Sequence, residues 1–188
     1  MRAACIVVAT SQDGGSLVPL LARSRYEQLL TSYHLNNGGQ MPDAKTLLKQ
    51  FLGNFRDPEK ASALFAEDGA FEMPFFVSLG LPRRFEGREG VKGLLTTVLE
   101  YYPDFKFKDE DITVLIDTPD QVFAEYVTHA TARQTGRLAH HLFMGRLVAE
   151  NGQIKLLREG LNTVAAASAL LAGGAHDLPE PTNEVHAF

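Results

Sequence analysis

Asn151-Gly152 stands between two long apolar runs, and this dipeptide limits the folds open to the chain more than any other feature. It favours the tight turn of an antiparallel hairpin, because both positions tolerate the left-handed backbone such a turn requires. The runs on either side, 140–148 and 153–161, then become neighbouring strands with Glu150 opposite Gln153. Counting back from the turn sets Glu159 opposite Met144. Alternation gives Glu159 the same-face neighbours Leu157, Leu161, Leu142, Met144 and Arg146. A carboxylate on so greasy a face must find a partner or keep its proton, since burying an unpaired charge is costly. Glu159 is therefore either the acid of a reaction site or the ionised half of a structural pair with Arg146.

The 188 residues suit one domain of ordinary size with a short appendage. A net charge of -5 without a basic cluster argues against nucleic acid as a partner. No apolar run approaches the roughly 20 residues of a membrane helix, and the single cysteine, Cys5, excludes an intrachain disulfide. These features lead to an expectation of a cytoplasmic protein with no membrane partner.

Upstream of the hairpin the periodicity is helical. Asp43 caps a helix in which Leu47, Leu48, Phe51, Leu52 and Phe55 mark one buried face. Asp57-Pro58 opens a second helix, 59–65, followed by a strand predicted over 70–77 and a loop carrying Arg83 and Arg84. A third helix, 91–102, ends at Pro103. Phe105 and Phe107 have the opposite parity to Ile112, Val114 and Ile116, so the chain must bend within 108–111. Strands over 122–133 and 140–148 lead to the hairpin, and small residues from Thr163 to Leu171 form a last helix. Helices first and a curved antiparallel sheet afterwards give an α+β fold. The expected organisation is an extension over 1–40 with its own helix at 17–34, a domain over 41–172, and a tail over 173–188. Met41 is a second candidate start, and residues 1–40 are expected to be dispensable.

The phrases Leu64-Phe65-Ala66-Glu67-Asp68-Gly69-Ala70-Phe71, Phe85-Glu86-Gly87-Arg88-Glu89-Gly90 and Asn151-Gly152-Gln153-Ile154 resemble the nuclear transport factor 2-like superfamily over about residues 43–171. That superfamily includes SnoaL-like polyketide cyclases and ketosteroid isomerases. The resemblance implies a cone-shaped, strongly curved sheet, cystatin-like in class, wrapped around N-terminal helices with an apolar pocket at its open end. It also implies a homodimer. Tyr102-Pro103-Asp104-Phe105 and Arg158-Glu159-Gly160-Leu161-Asn162-Thr163-Val164 are most similar to the phenazine-biosynthesis proteins, in which the residue matching Glu159 is a pocket acid. Their partner histidine and serine fall here at Leu94 and Val98. The catalytic carboxylates of the ketosteroid isomerases fall at Met73 and Met144, and the Arg and Asp that assist limonene-epoxide hydrolases fall at Tyr126 and Thr128. The resemblance thus places Met73, Met144, Tyr126 and Glu159 on the pocket wall.

Two function classes follow. In the first, the protein is an enzyme performing cofactor-independent isomerisation, cyclisation, dehydration or condensation on a small apolar carbonyl metabolite. Glu159 is then the general acid or base, and Tyr126 or His140 binds the developing oxyanion. Met73, Leu142, Met144, Arg146, Leu157 and Leu161 line the substrate site. In the second, the same fold is a non-catalytic ligand-binding or dimeric interaction module. His140 and His141 are adjacent on a strand and must face opposite ways; the hairpin count turns His140 inward. No His, Cys and carboxylate grouping has metal-ligand spacing, and Gly87, Gly90 and Gly93 do not form a dinucleotide fingerprint.

Overall fold

The structure, a computed structural model, describes residues 41–179. The helix expected at 17–34 and the end of the tail lie outside them. Helix α1, Ala44–Gly53, starts where the Asp43 carboxylate accepts from the Thr46 amide at 2.8 Å. It buries Leu47, Leu48, Phe51 and Leu52. Helix α2, Pro58–Ala63, has Asp57 as its cap and proline at its first position, where the missing N–H costs nothing. Helix α3, Gly87–Tyr101, stops before Pro103, and helix α4, Thr163–Leu170, is capped by Asn162.

Six strands form one curved, unclosed sheet. They are β1 (Phe65–Glu72), β2 (Arg84–Glu86), β3 (Ile112–Asp117), β4 (Gln121–Thr131), β5 (Leu138–Glu150) and β6 (Gln153–Leu161), in the spatial order β2-β1-β6-β5-β4-β3. The sheet is mixed where a wholly antiparallel one was expected, because β1 runs parallel to β6. These two strands are separated by α3 and four strands, β2 to β5, and a long crossover of that kind is what parallel neighbours require. The strand expected at 70–77 starts earlier and ends at Glu72. Pro74 then opens a 3-10 turn, Pro74–Leu79, because it can neither donate to a ladder nor hold an extended neighbour in register. The bend expected within 108–111 is a 3-10 turn at Asp109–Asp111.

The inner face of the sheet and the helices share one core. Phe51 meets Phe55, Phe65 and Phe71 edge-on, with ring centroids 6.0, 5.6 and 5.7 Å away. Such contacts add to burial because ring edges and faces carry opposite partial charge. Among the described residues no helix is long and apolar enough to cross a membrane.

The hairpin turn has the expected geometry, with φ of 51° at Asn151 and 72° at Gly152. Glu150 pairs with Gln153 and Ala149 with Ile154, but the next pair is Val148 with Leu156. Lys155 is an extra residue, and this bulge shifts every later pair by one. Glu159 therefore lies opposite Gly145, not Met144. The inward row of β5 is Ala139, His141, Phe143, Gly145 and Leu147, all buried.

Candidate functional site

Glu159 is 3% exposed, and its carboxyl group borders a cavity of about 320 Å³. The cavity wall is mostly apolar and aromatic: Phe71 and Met73 at the end of β1, Leu94, Leu95 and Val98 on α3, and Phe143 on β5. Helix α4 closes another side through Ala166, Ala167 and Leu170. Its position is held partly by Arg137, in the turn between β4 and β5, which donates to the carbonyls of Ser168, Leu171 and Ala172 at 2.9 Å.

Tyr126 lies behind this wall. It pairs with Phe143, one inward position along from Gly145, and its ring stacks on Phe143 at a centroid distance of 5.8 Å. Its hydroxyl reaches back over Gly145 and donates to Glu159 Oε1. Glycine is required there, since a Cβ on Gly145 would lie 2.1 Å from the Tyr126 hydroxyl oxygen. Burial pushes the Glu159 carboxyl up to about 8, and the hydrogen bond from Tyr126 pulls the other way. Glu159 is thus a neutral acid at pH 7. Tyr126 is raised well above the ordinary phenol range, by burial first and then by the adjacent carboxyl. It remains a donor throughout the physiological range.

Two further polar residues line the cavity. The Tyr102 hydroxyl, just beyond the end of α3, and Nδ1 of His141 are buried without a hydrogen-bond partner among the described residues. Their rings meet edge-on at 5.9 Å. Burial raises Tyr102 to about 12. His141 is lowered, by burial first and then by neighbouring His140, so its imidazole is neutral at pH 7.

The structure places Glu159, Met73 and Leu161 on the cavity wall. Leu157 is fully buried in the core behind it. Tyr126 supports the acid from behind; its hydroxyl is committed to Glu159 and does not face an oxyanion in the cavity. The bulge corrects four placements. His140, Leu142, Met144 and Arg146 lie on the outer face, with Leu142 and Met144 each 48% exposed. Arg146 donates to Gln121 Oε1 at 2.6 Å and does not pair with Glu159. His141, Tyr102 and Gly145 take part in the site although the sequence reading did not select them. The signal for His141 was present in β6, where Ile154 and Leu157 are three positions apart and cannot share a face without a bulge. Among the described residues no cluster of three or more His, Cys, Asp or Glu side chains is arranged to hold a metal.

A profile of the SnoaL-like domain matches residues 53–157. Among solved structures, a putative isomerase from Bacillus subtilis aligns with a TM-score of 0.60 and 21% identity, over 67% of this chain and 91% of that one. A phenazine biosynthesis-related protein from Pseudomonas aeruginosa aligns at 0.58 and 20% identity, over 77% and 92%. A putative polyketide cyclase from Streptomyces antibioticus aligns at 0.54 and 19%, over 65% and 94%. At these identities the likeness is one of fold. No curated protein sequence matches the chain.

Proposed function

This chain belongs to the SnoaL-like domain family, and on that premise we propose that it is an enzyme of cofactor-independent acid/base chemistry acting on an uncharged, largely apolar carbonyl compound. The carrying observation is the Glu159 carboxyl at the wall of an apolar cavity, protonated at neutral pH and backed by the Tyr126 hydroxyl. With Oε1 accepting from Tyr126, the other carboxyl oxygen can carry the proton and donate it to a substrate oxygen in the cavity. The proton passes to that oxygen, leaving Glu159 as a carboxylate beside a protonated, activated carbonyl. The carboxylate left behind keeps the Tyr126 hydrogen bond, which stabilises the charge where water is excluded. The same carboxylate then removes a proton from the carbon next to the carbonyl, the electrons of that C–H bond form the C=C bond of the enol, and the neutral acid is restored. Isomerisation, cyclisation, dehydration and condensation all use this cycle.

The test is hydrogen-deuterium exchange at carbons next to the carbonyl, followed by NMR over a panel of apolar ketones in D2O. Wild type should accelerate exchange in a subset, and Glu159→Gln should lose at least about a hundredfold, the lower end of a general acid's contribution. Binding without acceleration would make the protein a carrier and refute the catalytic reading.

We also propose a homodimer formed through the outer face of β4 and β5. The apolar residues available there are Leu138, Leu142 and Met144, beside half-buried Phe123 and Val127. Phe143 and Leu147, which counting back from the turn without a bulge puts on that face because their parity is opposite to that of Met144, are buried inside.

A further inference from the structure

The acid occupies one end of the cavity wall, and the polar groups it leaves unused occupy another part. Of the polar residues in the lining, Thr97, Tyr101 and Gln134 are exposed, whereas Glu159, His141 and Tyr102 are buried. Tyr102 and His141 are 5% and 3% exposed, and each carries a polar atom with no partner among the described residues. Burying such atoms without hydrogen bonds costs stability, so their retention in a cavity calls for a partner that enters the cavity.

Their position along the sheet limits what that partner does. Glu159 is level with Gly145 on β5, and His141 is four residues further along the same strand and face. At about 3.3 Å per residue this is roughly 13 Å of strand. Two short side chains leaning together do not close that gap to the roughly 3 Å that proton transfer at one carbonyl requires. Phe143 lies midway and presents an aromatic surface. No lysine or arginine lines the cavity among the described residues, so a buried anionic ligand would have no counter-charge.

We propose that Tyr102 and His141 form a second binding pole that recognises a hydroxyl group at the far end of the substrate, making the substrate class an uncharged, elongated apolar molecule with a carbonyl at one end and a hydroxyl at the other. This rests on the reading of Glu159 as the acid that receives the carbonyl. A hydroxyl suits the pole because it donates and accepts at once: it accepts from the Tyr102 O–H and donates to the lone pair of a neutral imidazole nitrogen. The apolar span between the ends lies against Phe143 and the aliphatic side chains of α3. The two residues determine specificity and take no part in the proton transfer.

A matched pair of probes tests this, 4′-hydroxybiphenyl-4-carbaldehyde and biphenyl-4-carbaldehyde, titrated by calorimetry against wild type, Tyr102→Phe, His141→Leu and the double variant. Wild type should prefer the hydroxylated aldehyde on the order of tenfold, as pairing of otherwise unsatisfied buried groups implies. In the double variant the preference should fall to about twofold or less, while the hydroxyl-free aldehyde binds within about threefold of its wild-type affinity. Thermal melts establish that the variants fold, and Tyr102→Phe should melt at or above wild type because it removes an unpaired buried hydroxyl. Equal binding of both aldehydes to wild type, or a preference that survives in the double variant, overturns the second pole and leaves the Glu159 reading intact. Failure of both aldehydes to bind wild type overturns the pocket reading and this proposal together.

Discussion

Replacing Glu159 by glutamine should have an effect on stability that depends on pH in a way no surface substitution reproduces. The folded carboxyl holds its proton up to about pH 8, whereas in the unfolded chain it releases it near 4.5, the ordinary glutamate value. Between those values the native state binds a proton that the unfolded state lacks, so stability falls as pH rises, by about 1.4 kcal/mol per pH unit. The contribution is fully present below pH 4.5 and is lost as pH passes through 8; across the window it is on the order of 5 kcal/mol. Glutamine has no proton to lose, and its amide oxygen still accepts from Tyr126. Near pH 5 the variant should lie within about 1 kcal/mol of wild type, the worth of a typical hydrogen bond. Near pH 8.5 it should be the more stable protein by several kcal/mol. The assay is urea denaturation at half-unit steps from pH 5 to 9, read as the difference between the two proteins. Taking the difference removes the opposite contribution of His141, whose lowered pKa gives stability that is present above about 6.5 and lost on acidification. A difference that stays flat with pH would refute the argument that Glu159 is buried as a neutral acid. A constant loss of about 3 kcal/mol or more would point to an ionised structural role instead.

Gly145→Ala should cost about 1–3 kcal/mol, since the new Cβ meets the Tyr126 hydroxyl at 2.1 Å and forces the ring away from Glu159. Urea denaturation measures it, and a neutral or stabilising effect would show that the gap is not needed. Arg137→Ala removes three hydrogen bonds to carbonyls at and just beyond the end of α4 and should lower local stability there by about 1 kcal/mol, visible as faster amide exchange in α4 and no change in β4. If the outer face of β5 is the dimer contact, wild type should be a dimer at tens of micromolar by light scattering. Met144→Lys should then be a folded monomer, and an unchanged mass would place the contact elsewhere.

Much of the architecture was legible in local patterns. The Asp43 and Asp57 caps, Pro58, and the apolar spacing of Leu47, Leu48, Phe51 and Leu52 lead to α1 and α2 without reference to the rest of the chain. Asn151-Gly152 specified a tight hairpin, and its backbone geometry is the one those two residues favour. The segment at Met73-Pro74 misled in the strand direction, because the apolar run from Phe71 to Val77 suits a strand in composition and only the proline argues otherwise.

Glu159 could be picked out as an unusual acid from the sequence alone, because a carboxylate in an apolar strand stands out whatever the register. Its neighbours could not. Both faces of β5 are apolar, with Ala139, Phe143 and Leu147 on one and Leu138, Leu142 and Met144 on the other, so alternation does not say which row is buried. The single extra residue at Lys155 made that choice, exchanging His140 for His141 and Met144 for Gly145 in the site. A bulge is selected by how the whole strand packs on α1 and against β1, contacts distant in sequence that local periodicity does not contain. The pairing of Tyr126 with Glu159 has the same origin. It needs one strand to supply the hydroxyl, another to supply the acid, and a glycine on the strand between them. Only the assembled sheet brings the three together.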